Sequence, residues 1–131
     1  MAVKKPLSDE EAGPETRAVF DDIRRTRNTD FVNDFWRTLA HDPALLRATW
    51  ERLKVVMAPG ALDALTKELL YVAVSTANGC AYCIHSHTAA AEAKGMTPAM
   101  HAELLAVIAM ASQTNALVTA MQVEVDDAFK A

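Results

Sequence analysis

The sequence predicts an all-α bundle of about six to seven helices in a single domain. Apolar residues recur every three to four positions, proline and glycine fall between these stretches, and no segment alternates with the period of two that a half-buried strand needs. A length of 131 residues supports one hydrophobic core without disulfide stapling.

The first helix is expected to open at Pro14, whose fixed φ suits the first helical position, and to run to about Thr26. Val19, Phe20 and Ile23 form its apolar stripe, while Arg24, Arg25 and Arg27 complement the negative carboxyl end. The second, from about Phe31 to Ala40, is expected to bury Phe31, Phe35 and Leu39. Asp42-Pro43 stops it and also caps and opens the third, which runs to about Met57 with Leu46, Trp50, Leu53 and Val56 or Met57 inward. Pro59-Gly60 ends that helix. The fourth, about Ala61 to Ala77, carries Leu62, Leu65, Leu69, Val72 and Thr76 at helical spacing and closes at Asn78-Gly79, two residues that tolerate the left-handed conformation. The fifth spans about Cys80 to Lys94 and is terminated by Gly95. Thr97-Pro98 opens a sixth to about Ser112, and a last helix from about Asn115 to Phe129 places Leu117, Met121, Val125 and Phe129 in register. The polar first dozen residues are expected to be mobile. With no internal repeat or linker, residues 1–131 read as one domain.

A formal net charge of −4 provides no basic footprint for nucleic acid or an anionic membrane surface. The apolar stretch from Leu69 to Ala81 is short and interrupted by Ser75, Thr76 and Asn78, so no membrane span is expected. Lys4 and Lys5 are followed by Pro6-Leu7-Ser8-Asp9-Glu10-Glu11, acidic where a signal peptide is apolar, and a cytoplasmic location is expected. The wealth of Ala, Leu, Val and Met, as in Leu104 to Ala111, exceeds what a small subunit easily buries, which points to a homo-oligomer.

The chemistry concentrates at Cys80-Ala81-Tyr82-Cys83, which holds both cysteines of the chain, followed by His87. In a reducing compartment such a pair implies redox chemistry or metal binding before a structural crosslink. At about 100° per residue, Cys83 lies about 60° and His87 about 20° from Cys80, so the three share a helix face, whereas His85 points nearly opposite. The unsatisfied N–H groups and positive dipole of the helix start favour thiolate over thiol. Glu68, within the apolar run Leu65 to Val74, either faces this dithiol across the Asn78-Gly79 turn or belongs with Lys67 to a solvated edge.

Glu68, eleven intervening residues, Cys80-x-x-Cys83-x-x-x-His87 and the preceding Asn78-Gly79 resemble the alkyl hydroperoxidase D family within the carboxymuconolactone decarboxylase superfamily. The likeness is strongest from Leu62 to about Met96, and Phe35-Trp36, Pro43 and Trp50 look like its peroxidase-related members. The resemblance implies a helical subunit assembled as trimers or hexamers, acting as a thiol peroxidase or disulfide reductase. It further implies Cys83 as the peroxidatic thiol, Cys80 as the resolving one, and His87 and Glu68 as a proton relay, directly or through water. The substrate would be a hydroperoxide and the reductant an external dithiol such as a lipoyl-bearing adaptor protein, with no haem, flavin or metal cofactor. One position departs: the best-understood members have a histidine just before the second cysteine, and here it is Tyr82, which near neutral pH serves as a hydrogen-bond donor rather than a base.

Other readings of the same residues stay open at this level. Two small polarizable side chains on one face can simply pack. Two thiolates, an imidazole and a carboxylate also make a zinc ligand set, and a non-catalytic redox sensor would use the same oxidation. A lactone decarboxylase would need no dithiol. His41 suits a helix terminus, His101 a surface, and His85 a structural or interface role, while Trp36, Trp50 and the methionines suit core or subunit contact.

Overall fold

The computed structural model describes residues 2–130, and its regular structure there is entirely helical. The elements are α1 (Pro14–Arg27), α2 (Asp34–Leu39), α3 (Pro43–Met57), α4 (Ala64–Ala77), α5 (Ala81–Ala93) and α6 (Pro98–Met121), followed by a single 3-10 turn at Asp127–Phe129. The expected all-α class is what the chain adopts. Contacts divide it into one unit reaching to Ala58 and another starting at Pro59.

In the first unit α1 and α2 pack against α3. Val19, Phe20, Ile23, Val32, Trp36, Leu46 and Trp50 form the buried core, and the rings of Trp36 and Trp50 meet edge to face with centroids 5.4 Å apart. Asp42 caps α3 by accepting from the Leu45 amide at 3.1 Å, as its place before Pro43 foretold. Asp22 joins α1 to α3 by accepting from Trp50 Nε1 and Lys54 Nζ, both at 2.7 Å. The Lys54 and Trp50 hydrogen bonds, with help from Arg25, outweigh burial and hold the Asp22 carboxyl down at about 2.

Two expectations in this unit need correction. α2 is only six residues long and starts at Asp34, so its one buried face belongs to Trp36, with Val32 preceding it; Phe31 and Phe35 are 67% and 44% exposed and Leu39 is half-buried. Of the N-terminal residues expected to be mobile, Met1 lies outside the described residues, and the segment from Leu7 to Ala12 is anchored: Leu7 and Arg37 exchange hydrogen bonds through Leu7 N–H at 3.1 Å and Leu7 O at 2.9 Å. Asp9 accepts from Arg24 and Arg37, and Ala12 is buried.

In the second unit α4 forms an antiparallel hairpin with α5 and also packs on α6. α4 begins at Ala64 rather than near Ala61, because Asp63 caps it by accepting from the Thr66 amide at 2.7 Å. Leu62 therefore lies outside the helix and is exposed. The buried stripe is Glu68, Val72 and Ser75, at i, i+4 and i+7, while Leu65, Leu69 and Thr76 are half-buried. Two sequence-legible joints frame α5. Gly79, at φ 68°, donates to Thr76 O while Cys80 N–H reaches Ser75 O at 2.9 Å. Gly95, at φ 100°, repeats the pattern with Gly95 N–H to Glu92 O and Met96 N–H to Ala91 O. Both joints are left-handed closures with paired backbone bonds, for which glycine carries no Cβ penalty.

The two last expected helices are one. α6 continues through Ser112 to Asn115 to Met121, and the Thr114 hydroxyl donates to Met110 O at 3.1 Å and lies 3.2 Å from Ala111 O, satisfying itself within the helix. Val125 and Phe129 lie beyond it. With 24 residues and no buried position, α6 is long and apolar enough to cross a membrane by length and composition, contrary to the expectation that no stretch is.

Candidate functional site

The site is assembled on the α4–α5 hairpin. The Gly79 closure delivers the chain into Cys80, which becomes the N-cap of α5: its Sγ accepts from the Cys83 amide at 3.3 Å. A cap is an acceptor of otherwise unpaired helical N–H groups, so the position favours an electron-rich sulfur. Cys80 and Cys83 are joined as a disulfide with a Cα separation of 5.3 Å, within the span a disulfide bridges without backbone movement. Both residues are half-buried.

One turn after Cys83, His87 is placed by contacts on two sides. Its ring stacks on Tyr71 of α4, with centroids 3.6 Å apart and planes 19° from parallel. Its Nδ1 lies 2.7 Å from Glu68 Oε2. Glu68 is thus buried and turned into the hairpin, and the solvated-edge alternative for it is set aside by 7% side-chain exposure. Its other oxygen, Oε1, accepts from Lys94 Nζ at 2.9 Å. Burial pushes the Glu68 carboxyl up, but the hydrogen bonds from His87 and Lys94 and their charges prevail, and it lies below the ordinary glutamate value. An ionised Glu68 can only accept, so His87 donates from Nδ1, and in the neutral ring the lone pair lies on Nε2.

The structure therefore brings together Cys80 with Cys83, and His87 with Glu68. Among the described residues neither sulfur hydrogen-bonds to His87; the two pairs are linked by the single turn of α5 from Cys83 to His87. Tyr82 is on the exposed surface of the same turn, and His85 is exposed as its position on the opposite face implied. His101 is half-buried on α6, and His41 Nε2 lies 2.8 Å from Lys5 O in the other unit. The four zinc candidates do not converge: among the described residues no three His, Cys, Asp or Glu side chains group as metal ligands. Sequence reading did not find Tyr71 or Lys94. Tyr71 is Glu68 plus three and Lys94 is His87 plus seven, both on faces already in use, and that spacing was the available signal.

Such a hairpin can form and break a disulfide and can move a proton at His87 Nε2, with Glu68 fixing the ring. The sequence profile of the carboxymuconolactone decarboxylase family matches residues 43–124. The crystal structure of the alkylhydroperoxidase AhpD core from Rhodospirillum rubrum is 65% identical, superposes with a TM-score of 0.97, and the match covers 100% of this chain and 98% of that one. The uncharacterized protein 4 in the cox locus of Paracoccus denitrificans is 48% identical over 44 residues. That segment is 34% of this chain and 40% of the curated relative, so the match spans about two fifths of the relative's length.

Proposed function

The chain belongs to the carboxymuconolactone decarboxylase family as an alkyl hydroperoxidase D-like member, and on that premise we propose that it is a thiol-dependent peroxidase that reduces organic hydroperoxides with Cys80 and Cys83. The single observation that carries the reading is the disulfide-bonded cysteine pair at the start of α5, one turn from a histidine held by a buried carboxylate. Lactone decarboxylation, the activity in the family's name, calls for carboxylates and imidazoles but gives the thiol pair no task.

In the reduced protein the Cys83 thiolate attacks one oxygen of the hydroperoxide. The O–O bond breaks, the sulfur becomes a sulfenic acid, and the leaving alkoxide takes a proton and departs as alcohol. His87 Nε2 first accepts the Cys83 thiol proton, directly or through water, and then returns it to the alkoxide, while Glu68 steadies the imidazolium in between. Cys80 next attacks the sulfenic sulfur, its own proton leaves with the hydroxyl as water, and the Cys80–Cys83 disulfide forms. An external dithiol, of which a lipoyl group on a carrier protein is the expected form, restores both thiols by exchange. The overall balance is one hydroperoxide and one dithiol to one alcohol, one water and one disulfide, with no cofactor.

The reading is tested with single cysteine variants in a hydroperoxide assay supported by dihydrolipoamide. Cys83→Ser abolishes peroxide reduction; Cys80→Ser performs one stoichiometric oxidation and does not turn over through a disulfide. If both variants keep normal turnover, the reading is wrong. A redox sensor would show wild-type oxidation without turnover, and metal analysis of the reduced protein decides the zinc alternative. The exposed apolar residues of α6, among them Leu105, Val107, Met110, Leu117 and Val118, support a homo-oligomer, trimer or hexamer, which light scattering measures directly.

A further inference from the structure

We propose that Lys94 is a positioning residue of this site, clamping Glu68 by its second oxygen and setting the proton affinity of His87; the proposal rests on the thiol-peroxidase reading for its catalytic meaning and on geometry for its substance. Lys94 is the C-cap of α5, fixed in place by the Gly95 closure that follows it. From there its ammonium crosses to α4 and donates to Glu68 Oε1 at 2.9 Å, while His87 occupies Oε2 at 2.7 Å. The carboxylate is bonded through both oxygens and is nearly excluded from water, whereas Lys94 itself is 39% exposed. Each partner restrains a different degree of freedom. With Tyr71 stacked on the ring and Lys94 holding the far oxygen, neither the imidazole nor the carboxylate can swing without breaking a contact.

The electrostatic consequence has a definite sign. Glu68 alone would strongly favour imidazolium over neutral imidazole at His87. The positive charge of Lys94 on the same carboxylate offsets part of that pull and so favours the neutral imidazole, the form that can accept a proton. Removing the charge leaves Glu68 uncompensated, and His87 becomes harder to deprotonate. A unit charge held across one carboxylate at a partly exposed site shifts an imidazole by about one pH unit.

Other titratable groups in this unit do not substitute for it. On α4, Lys67 neighbours Glu68 in sequence and Tyr71 contributes its ring; on α5 and its N-cap, Cys83 and Cys80 are bonded to each other, and Tyr82, His85 and Glu92 are exposed. α6, packed on α4, carries only His101 and Glu103 as titratable groups, and neither makes an ion pair or side-chain hydrogen bond among the described residues.

The test is an NMR titration of the His87 ring in the full-length reduced protein, for wild type, Lys94→Met and Lys94→Arg, with His85 as the internal reference. The proposal expects Lys94→Met to raise the His87 midpoint by about one pH unit, Lys94→Arg to stay within about 0.3 unit of wild type, and His85 not to move in either. In the peroxidase assay the acid limb of the pH profile shifts the same way, so Lys94→Met loses more at pH 6 than at pH 8. An unchanged His87 midpoint in Lys94→Met overturns the proposal. So does a shift that Lys94→Arg reproduces in full, since the effect would then follow the lysine's shape and not its charge. The titration needs no turnover: if the wild type fails to reduce peroxide, the peroxidase reading falls while the Lys94 result still stands or falls by itself.

Discussion

Replacing Glu68 by glutamine changes one oxygen to nitrogen and separates the chemical from the structural role of this side chain. In the wild type a carboxylate with 7% side-chain exposure accepts from His87 and from Lys94. An amide that keeps its oxygen on Lys94 turns its NH2 toward His87, so Nδ1 must accept and the ring proton moves to Nε2. The lone pair that takes the thiol proton is then gone, and the imidazolium loses its counter-charge. Groups that orient a reactive histidine in this manner contribute about tenfold to hundredfold, so kcat/KM should fall by that factor, equivalent to about 1.4–2.7 kcal/mol of transition-state stabilisation. Folding stability should change much less. Two charge-assisted hydrogen bonds weaken, but the cost of burying a full charge disappears with them, leaving a net change within about 1.5 kcal/mol. Steady-state peroxide reduction and urea denaturation of the same two proteins measure both quantities. Wild-type kcat/KM in Glu68→Gln would refute the relay; a loss of activity matched by a collapse in stability would refute its separation from the fold.

Three further expectations concern the frame around the site. Asp22 titrates at about 2 in the folded protein and near 3.9 when unfolded. Its contribution is therefore fully present above about pH 4 and is lost as pH falls through about 2; allowing for partial solvent screening it amounts to about 1–2 kcal/mol. Urea midpoints between pH 2 and 6 should show this loss, and Asp22→Asn should flatten it. Gly79→Ala should cost about 1–2 kcal/mol purely through backbone strain, because a Cβ there meets nothing within 4 Å yet φ is 68°; unchanged urea stability would contradict the closure argument. Leu46→Ala, at a fully buried core position, should destabilise by about 3 kcal/mol in the same assay.

How much of this was legible in the sequence depended on how local the signal was. Pro14, Pro43 and Pro98 marked helix starts at the residue, and Gly79 and Gly95 marked the ends of α4 and α5, because caps and left-handed closures act over a few residues. The face shared by Cys80, Cys83 and His87 followed from helix geometry alone. Errors arose where tertiary contact overrode local pattern. The stripe drawn through Phe31 and Phe35 was out of phase by one residue, since packing against Trp50 selected Trp36. The polar run Ser112-Gln113-Thr114-Asn115 resembled a break, yet Thr114 bonds within the helix and α6 continues. α4 starts three residues later than expected because the Asp63 side chain caps it, a signal that the apolar spacing from Leu62 onward does not carry. Lys94 is 26 residues from Glu68; its place seven residues after His87 puts it on the right face, but spacing does not identify a carboxylate of the preceding helix as its partner.

The central claim is that the cysteine pair itself carries the electrons. Fully reduced wild-type protein, given one equivalent of an organic hydroperoxide without any external reductant, should lose two thiols per alcohol formed, with peptide mass mapping locating the product as the Cys80–Cys83 disulfide. Alcohol production that leaves both thiols intact, or a disulfide that forms with no alcohol released, would contradict it.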